Sequence, residues 1–341
     1  MKIYKDNITD RNIEFEKLVV KTQEEMKQYV ISKLSNFGGK VKQGDGYVYH
    51  KGTFPVLLCA HMDTVHKELP KTLVYANGTL SSNEGIGGDD RCGIYMIFKI
   101  LKKYDCHVVF LEDEEIGCVG AHKFIKTKIC KNLSEKDLRY IIEFDRKGNN
   151  HAVTYDCDNP EFDKFITKEF FKKEHGTCSD ISYIAPTIGV AAVNLSCGYY
   201  NEHKLEHWVN LAEMERVIVE AMKLLERTKG LKESFEYIES ATARWGYSYG
   251  RYGYYGYDDY YDDYGYNTSG YYSPSRVNGK SDDVNKAFTM RKWTFRFKKE
   301  NIILERTIYR SDGDEAAAYL TFFKANPNVC YSDIVTVTES M

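Results

Sequence analysis

An apolar run that closes in a metal-binding pair of side chains constrains this chain more than any other feature. Leu57-Leu-Cys-Ala60 leads directly into His61-Met-Asp63-Thr-Val65. Side chains two apart in an extended segment share a face, so His61 and Asp63 lie together. A buried strand ending in His-x-Asp offers a neutral imidazole to a metal and a carboxylate to orient it. A lone histidine after a strand is more often structural. The weight therefore rests on the ordered clusters behind it: Gly88-Asp-Asp-Arg-Cys-Gly93, Glu112-Asp-Glu-Glu-Ile-Gly117, Ile141-Ile-Glu-Phe-Asp145 and Tyr200-Asn-Glu-His203.

Hydrophobic periodicity places these clusters on a fold. Apolar positions at helical spacing over residues 8–36 (Ile13, Leu18, Val19, Met26, Val30, Ile31, Leu34) predict one or two amphipathic helices. Strands are expected at 46–50, 55–60, His107–Leu111, Tyr140–Phe144 and Val190–Leu195. Helices are expected from Cys92 to Lys103 and over 119–127, 160–173 and 209–227, with a hairpin at Asn77-Gly78. Strands alternating with helices mean a three-layer α/β/α fold with a mixed sheet. In open α/β sheets, sites gather at the carboxyl ends of the strands. Four of the five clusters fall at or just after a predicted strand end, and Gly88–Gly93 opens a helix.

Bulk properties remove several function classes. A net charge of -3 over 341 residues gives no field that attracts nucleic acid or an anionic membrane. No apolar stretch is long enough to span a bilayer. The nine cysteines are scattered, contain no CxxC pair and are odd in number, so neither a disulfide framework nor an all-cysteine zinc site is expected. The first residues, Met-Lys-Ile-Tyr-Lys-Asp-Asn, have no apolar signal core, and a reducing cytoplasm is the expected compartment.

Four acids, Glu112-Asp-Glu-Glu115, follow the apolar run Val108–Leu111. Carboxylates crowded at the end of a buried strand repel one another unless cations compensate. Two divalent ions sharing a water make a hydrolytic clamp, which needs a bridging carboxylate, further ligands for each ion and a separate base. The sequence supplies such a set. His61 and His203 are the nitrogen ligands, Asp89 bridges, Glu115 and Asp145 are the outer carboxylates, and Glu114 is free to take the proton from the water. Glu143, two before Asp145, is the rival ligand.

The ordered set resembles the co-catalytic zinc exopeptidases, which include leucyl and glutamyl aminopeptidases, tetrahedral aminopeptidases, peptidase T and the acyl-amino-acid deacylases. The resemblance covers about residues 10–228. It implies that His61 is a ligand oriented by Asp63, that Asp89 bridges with a cis Asp89–Asp90 peptide, and that Glu114 and Glu115 are base and ligand. Asp145 and His203 match the last two ligands. The implied cofactor is a pair of divalent ions, zinc first, with cobalt or manganese as substitutes. His61 to Asp89 spans 28 residues, which leaves no room for the lid domain of tetrahedral aminopeptidases. Asp145 to His203 spans 58, too few for the dimerisation domain of deacylases and peptidase T. The layout is therefore that of a compact aminopeptidase acting on a peptide or small amide through a metal-bridging water activated by Glu114. A deacylase of N-acyl amino acids is the alternative within the class, together with a single-metal cyclase relative. A non-catalytic scaffold on the same fold is the alternative outside it.

Other residues carry less information. Tyr199 and Tyr200 precede His203 and could donate to an oxyanion. Asp180, in Gly176-Thr-Cys-Ser-Asp180, could bind a substrate amine or support a ligand. His66 and His207 are expected to lie behind the ligands or in solvent, and Cys59 and Cys178 are not expected to be nucleophiles. Residues 245–272 hold twelve tyrosines, six glycines and four aspartates, a composition that reads as a linker. The expected organisation is a catalytic domain over 1–235, a Tyr/Gly-rich linker over 236–283 and a small ββαβ module over 284–341. That module has strands at Trp293–Phe297, Ile303–Tyr309 and Ile334–Thr338 and a helix at Asp314–Lys324. Its basic first strand (Lys292, Arg296, Lys298, Lys299) is a solvated face or a docking surface for a protein partner.

Overall fold

The computed structural model describes residues 1–6, 9–134, 136–240, 291–299, 302–310 and 334–340. Its first strands are β1 (Lys2–Lys5), β2 (Lys40–Gly44), β3 (Tyr47–Lys51), β4 (Phe54–His61), β5 (Thr72–Ala76), β6 (Thr79–Ser81) and β7 (Cys106–Leu111). There follow β8 (Tyr140–Arg146), β9 (His151–Val153), β10 (Lys172–Lys173), β11 (Ala192–Ser196), β12 (Tyr199–Tyr200), β13 (Trp208–Asn210), β14 (Arg291–Lys299), β15 (Ile302–Arg310) and β16 (Ile334–Ser340). The helices are α1 (Ile13–Val19), α2 (Gln23–Leu34), α3 (Gly88–Leu101), α4 (Val119–Phe124), α5 (Lys128–Asn132), α6 (Pro160–Ile166), α7 (Ile181–Ile188) and α8 (Leu211–Thr228).

The main sheet runs β10-β9-β11-β8-β4-β7-β3-β2. Its middle strands β7, β4, β8 and β11 are mutually parallel, and β2, β3 and the β9–β11 pair are antiparallel. Val56 to His61 of β4 are all buried, as a strand covered on both faces requires. Burying Leu57 and Leu58 stabilises the fold by about 1.5–3 kcal/mol each. Local signals set the helix starts. Thr22 and Glu25 form a capping box on α2, and Asn159 caps α6 just ahead of Pro160. Helix α8 buries Met214, Val217, Ile218, Ala221, Leu224 and Leu225, a single stripe at helical spacing.

A second sheet, β1-β5-β6-β13-β12, is not legible in the sequence beyond its hairpin. Asn77 and Gly78 turn that hairpin with both φ angles positive (50° and 80°), the backbone that Asn-Gly favours. The helix expected over 160–173 ends at Ile166. Beyond it Lys172 N–H donates to Asn150 O at 2.7 Å and Glu174 N–H to Ala152 O at 2.9 Å, so edge pairing with β9 replaces the last turn. Helix α7 holds Pro186 inside it, and a proline hides such a helix from a periodicity reading. Main-chain bonds tie residues 235–240 to the domain: Ala191 N–H donates to Phe235 O, Tyr237 N–H to Gly189 O and Asp158 N–H to Ile238 O. Strands β14, β15 and β16 form an antiparallel sheet in the order β15-β14-β16, covering the three expected strand segments. The expected helix at Asp314–Lys324 and the Tyr/Gly segment at 245–272 lie outside the described residues. No helix among the described residues is long and apolar enough to cross a membrane.

Where α1 meets the second sheet, the buried Glu16 accepts from Arg11 Nε at 2.7 Å, from Arg11 Nη2 at 2.5 Å and from the Tyr75 hydroxyl at 2.8 Å. The guanidinium hydrogen bond holds the Glu16 carboxyl below its ordinary range, against the opposing effect of burial. A carboxyl depressed in the folded state stabilises at neutral pH, and that contribution disappears as pH falls through the folded pKa. Glu16→Gln should therefore lower the melting temperature at pH 7. It should also flatten the stability loss below the ordinary glutamate pKa of about 4.3. Thermal melts from pH 7 to pH 3 test this, and parallel curves for the two proteins would refute it.

Candidate metal centre

Three parallel strands and two loops bring the candidates together. His61 is the last residue of β4, Glu112–Glu115 follow β7, and Asp145 lies near the end of β8. Asp89 sits in the first turn of α3, next to a cis Asp89–Asp90 peptide. Gly93 allows this turn to press on β8: a Cβ there would lie 2.1 Å from Phe144 O. The second sheet supplies His203, carried on the hairpin that joins β12 to β13. Its φ is 62°, and that of Asn201 is 57°, a left-handed backbone that histidine and asparagine adopt more readily than most residues.

His61 Nε2 lies 3.0 Å from Asp89 Oδ1 and 3.4 Å from Asp145 Oδ1. Its Nδ1 is 3.1 Å from Asp63 Oδ1. Asp63 also accepts the backbone N–H of Glu114 and of Glu115, each at 3.0 Å. One carboxylate thus fixes the imidazole tautomer and the turn that carries both glutamates. His203 Nε2 stands 3.0 Å from Glu115 Oε2 and 3.5 Å from Asp89 Oδ2. The two Asp89 oxygens face different histidines, which is the disposition of a bridging ligand. His61, Asp89 and Glu115 each bring a donor atom within 4.8 Å of the others, and so do His61, Asp90 and Asp145. Asp90, however, is committed elsewhere: Oδ1 accepts from Gly93 N–H at 2.7 Å and Oδ2 from His61 N–H at 3.3 Å. It caps the kinked helix start, and Asp89 is the better ligand.

Electrostatics argue for cations here. Asp63, Asp89, Glu114, Glu115, Glu143, Asp145 and Asp180 are crowded together in and beneath the site. Burial, then repulsion from Asp145, pushes the Glu114 carboxyl up to about 9. Burial, then the charge on Asp89, pushes Asp145 up to about 7. Hydrogen bonds to Asp89 and Glu115 pull His203 up to about 11. Burial opposes a charge on His61, but its bonds to Asp145, Asp63 and Asp89 outweigh that and raise it well above the usual imidazole range. The acids thus favour positive charge at both histidines, a demand that divalent ions would meet in such a donor set. Glu115 Oε1 is buried without a protein partner among the described residues. The residues fit a pair of divalent metals.

Other expected residues are placed as follows. Tyr199 is buried and its hydroxyl donates to Asp145 Oδ1 at 3.2 Å. The Tyr200 hydroxyl instead donates to Glu213 Oε2 at 2.5 Å, and its ring stacks on Trp208. Asp180 is fully buried, with both oxygens lacking a protein partner among the described residues. Glu143 is likewise buried, two residues before Asp145 and paired with Cys59 of β4. His207 is buried and lies 3.5 Å from His66, behind the ligands. Cys59 is buried in the sheet. Three supporting residues escape sequence reasoning. Ser179 Oγ donates to Asp145 Oδ2 at 2.9 Å, and the Asn194 side chain brackets the Asp145 main chain at 2.9 and 3.0 Å. Arg91, also buried, donates to Met62 O and Asp63 O at 2.6 and 3.1 Å, and to Lys21 O at 3.1 Å. A charged residue between two aspartates and an otherwise apolar helix is the one signal that marks Arg91 in advance.

Residues 43–186 match the family model described as Peptidase family M28, a span that holds every candidate ligand except His203. A search of curated proteins finds no match. Among solved structures, the chain resembles aminopeptidase PepT from Bacillus cereus ATCC 10987 at 14% identity and a TM-score of 0.51, over 63% of this chain and 97% of that one. It resembles a tripeptidase from Staphylococcus aureus subsp. aureus Mu50 at 13% identity and a TM-score of 0.50, over 64% and 97%. At this identity the structural likeness is one of fold.

Asp63→Asn removes the charge that orients His61 while keeping the shape. Zinc affinity should fall about 10–100-fold, the usual cost of losing a carboxylate behind a histidine ligand. Competition with a zinc-responsive dye measures this, with circular dichroism checking the fold. Unchanged affinity in a folded variant would refute the role assigned to Asp63.

Proposed function

We propose that this is a metallopeptidase of the co-catalytic zinc exopeptidase superfamily, acting as an aminopeptidase on the free N-terminus of peptides, a reading supported by the match of residues 43–186 to the M28 peptidase model. The observation that carries this reading is the joint anchorage of His61, Glu114 and Glu115 on Asp63. It couples a metal ligand to an adjacent carboxylate whose own hydrogen bond comes from Cys118, so that ligand and base are held as one unit.

His61, Asp89 and Asp145 would hold one divalent ion, and His203, Glu115 and the other oxygen of Asp89 the second, zinc in both by preference. When bound, such a pair supplies Lewis-acid stabilisation and lowers the pKa of a water. Glu114 takes the proton from the attacking water at its carboxylate and delivers it to the departing amine. Its burial and its acidic neighbours favour proton uptake, as a general base requires. Asp63 keeps the His61 Nδ1 proton in place. Tyr199 and Ser179 hold the two Asp145 oxygens. Burial pushes the Asp180 and Glu143 carboxyls well above the ordinary range, so both favour the protonated form. A concentration of acids favours a substrate ammonium over a substrate carboxylate, which supports an aminopeptidase over a deacylase. We place the reaction in the cytoplasm, a reading supported by the eight described cysteines, all of them free thiols. Catalysis is assigned to residues 1–235, since no candidate lies in the β14–β16 sheet.

Hydrolysis of free-amine aminoacyl substrates and matched N-acylated ones, with added zinc and after chelation, tests the assignment. Chelator-sensitive cleavage of the free-amine set is expected, and cleavage of only the blocked set would overturn it. Glu114→Gln should lower turnover by about 10²–10⁴-fold, the range of general-base catalysis. It should keep its metal content by elemental analysis. Undiminished turnover in that variant would remove Glu114 from the mechanism.

A further inference from the structure

Helix α2 grips the turn that carries Glu114 and Glu115, although none of its residues is a candidate ligand. Of the four acids after β7, the first two are engaged away from the metals. Glu112 Oε2 accepts from Lys27 Nζ at 2.7 Å and from Gly46 N–H at 3.0 Å. Asp113 is bound twice by Gln23, the first residue of α2. Gln23 Nε2 donates to Asp113 Oδ1 at 2.9 Å, and Gln23 Oε1 accepts the Asp113 backbone N–H at 3.1 Å. A carboxylate oxygen accepts and a backbone N–H donates, so this pairing admits one orientation of the Gln23 amide. Gln23 and Lys27 lie one helical turn apart and present a single face of α2 to the turn.

The residue held in this way has an uncommon backbone. The φ of Asp113 is 59°, in the left-handed region that costs a side chain more than it costs glycine. Rotation about φ sets the backbone N–H relative to the side chain, and Gln23 binds both, so its two bonds restrain that rotation. The conformation matters to the residues that follow. It turns the chain after β7 so that the N–H groups of Glu114 and Glu115 both reach Asp63, at 3.0 Å each. The other end of α2's first turn is anchored as well. Arg91 Nη2 donates to Lys21 O, two residues before Gln23, while Arg91 Nη1 holds the carbonyls of Met62 and Asp63. The start of α2 therefore braces the Asp63 loop against the Glu114 turn.

We propose that Gln23 is a positioning residue for the reaction: its paired bonds keep Asp113 left-handed, and that backbone aims Glu114 and Glu115. The effect on turnover rests on the aminopeptidase reading. The effect on metal affinity rests only on Glu115 as a ligand.

Gln23→Leu keeps the size of the side chain and removes both bonds. The full-length variant, with circular dichroism checking its fold, is titrated with zinc against a zinc-responsive dye. One of two zinc-binding steps should weaken about 10–100-fold, the usual cost of losing a group that orients a ligand, and the other should hold. In the zinc-loaded variant, kcat on free-amine substrates should fall on the same scale, about 10–100-fold, with KM unchanged. Glycine adopts a positive φ freely, so Gln23→Leu should cost several-fold less in an Asp113→Gly background. Unchanged zinc steps or unchanged kcat in folded Gln23→Leu, equal weakening of both zinc steps, or an undiminished loss in the Asp113→Gly background would each overturn the proposal. A single weakened zinc step, with no cleavage of free-amine substrates by either protein, would uphold the positioning role and fail the aminopeptidase reading instead.

Discussion

Everything at the site depends on where Asp63 finds its donors. Its carboxylate receives one N–H from an imidazole and two from the backbone of a neighbouring loop. Three donors on one carboxylate offset much of the cost of burying it, and they keep it ionised in spite of that burial. The His61 Nδ1 proton then has a fixed place, which leaves Nε2 to face Asp89 and Asp145. The same three bonds set the turn from which Glu114 and Glu115 diverge. Orientation of a ligand and orientation of a base are usually separate problems, and here a single side chain addresses both.

The surrounding protein supports that arrangement from below. Arg91 runs beneath the loop and binds the carbonyls of Met62 and Asp63, joining it to the α1–α2 connection through Lys21. Burial drives the Arg91 pKa down to about 10, which leaves it charged at neutral pH. Its positive charge partly balances the acids above it, and its hydrogen bonds satisfy carbonyls at the end of a strand. Asn194 does the same for the Asp145 main chain where β8 stops pairing regularly with β11.

The parallel core is legible because strands buried on both faces leave long apolar runs, and acids crowded after such a run call for cations to offset their repulsion. Val108–Leu111 followed by Glu112–Glu115 is the clearest instance. The second sheet is not legible, because its strands are only two to five residues long and pair across the chain: β6 with β13, and β1 with β5. Nothing local encodes such pairing. The same limit explains Tyr200. Sequence alone puts it beside Tyr199 as an equal candidate, but alternation in a strand sends adjacent side chains to opposite faces, and only Tyr199 reaches Asp145. Ser179 and Asn194 are ordinary polar residues whose partners lie 34 and 49 positions away.

The register of β4 has a consequence of its own. His61 stands opposite Leu111 of β7, while Cys59 stands opposite Glu143 of β8. Strand length therefore acts as a ruler: the imidazole reaches the sheet edge because the number of residues before it is fixed by pairing on both sides. Inserting or deleting one residue within Val56–Ala60 would rotate His61 to the other face of the sheet and carry Asp63 away from the Glu114 turn, with every side chain of the site chemically intact. His203 lies in the loop between β12 and β13, so a one-residue edit in that loop would leave the β12–β13 and β13–β6 ladders in register and shift His203 alone. The outer half of this centre can absorb a change in chain length, and the inner half is held to a count.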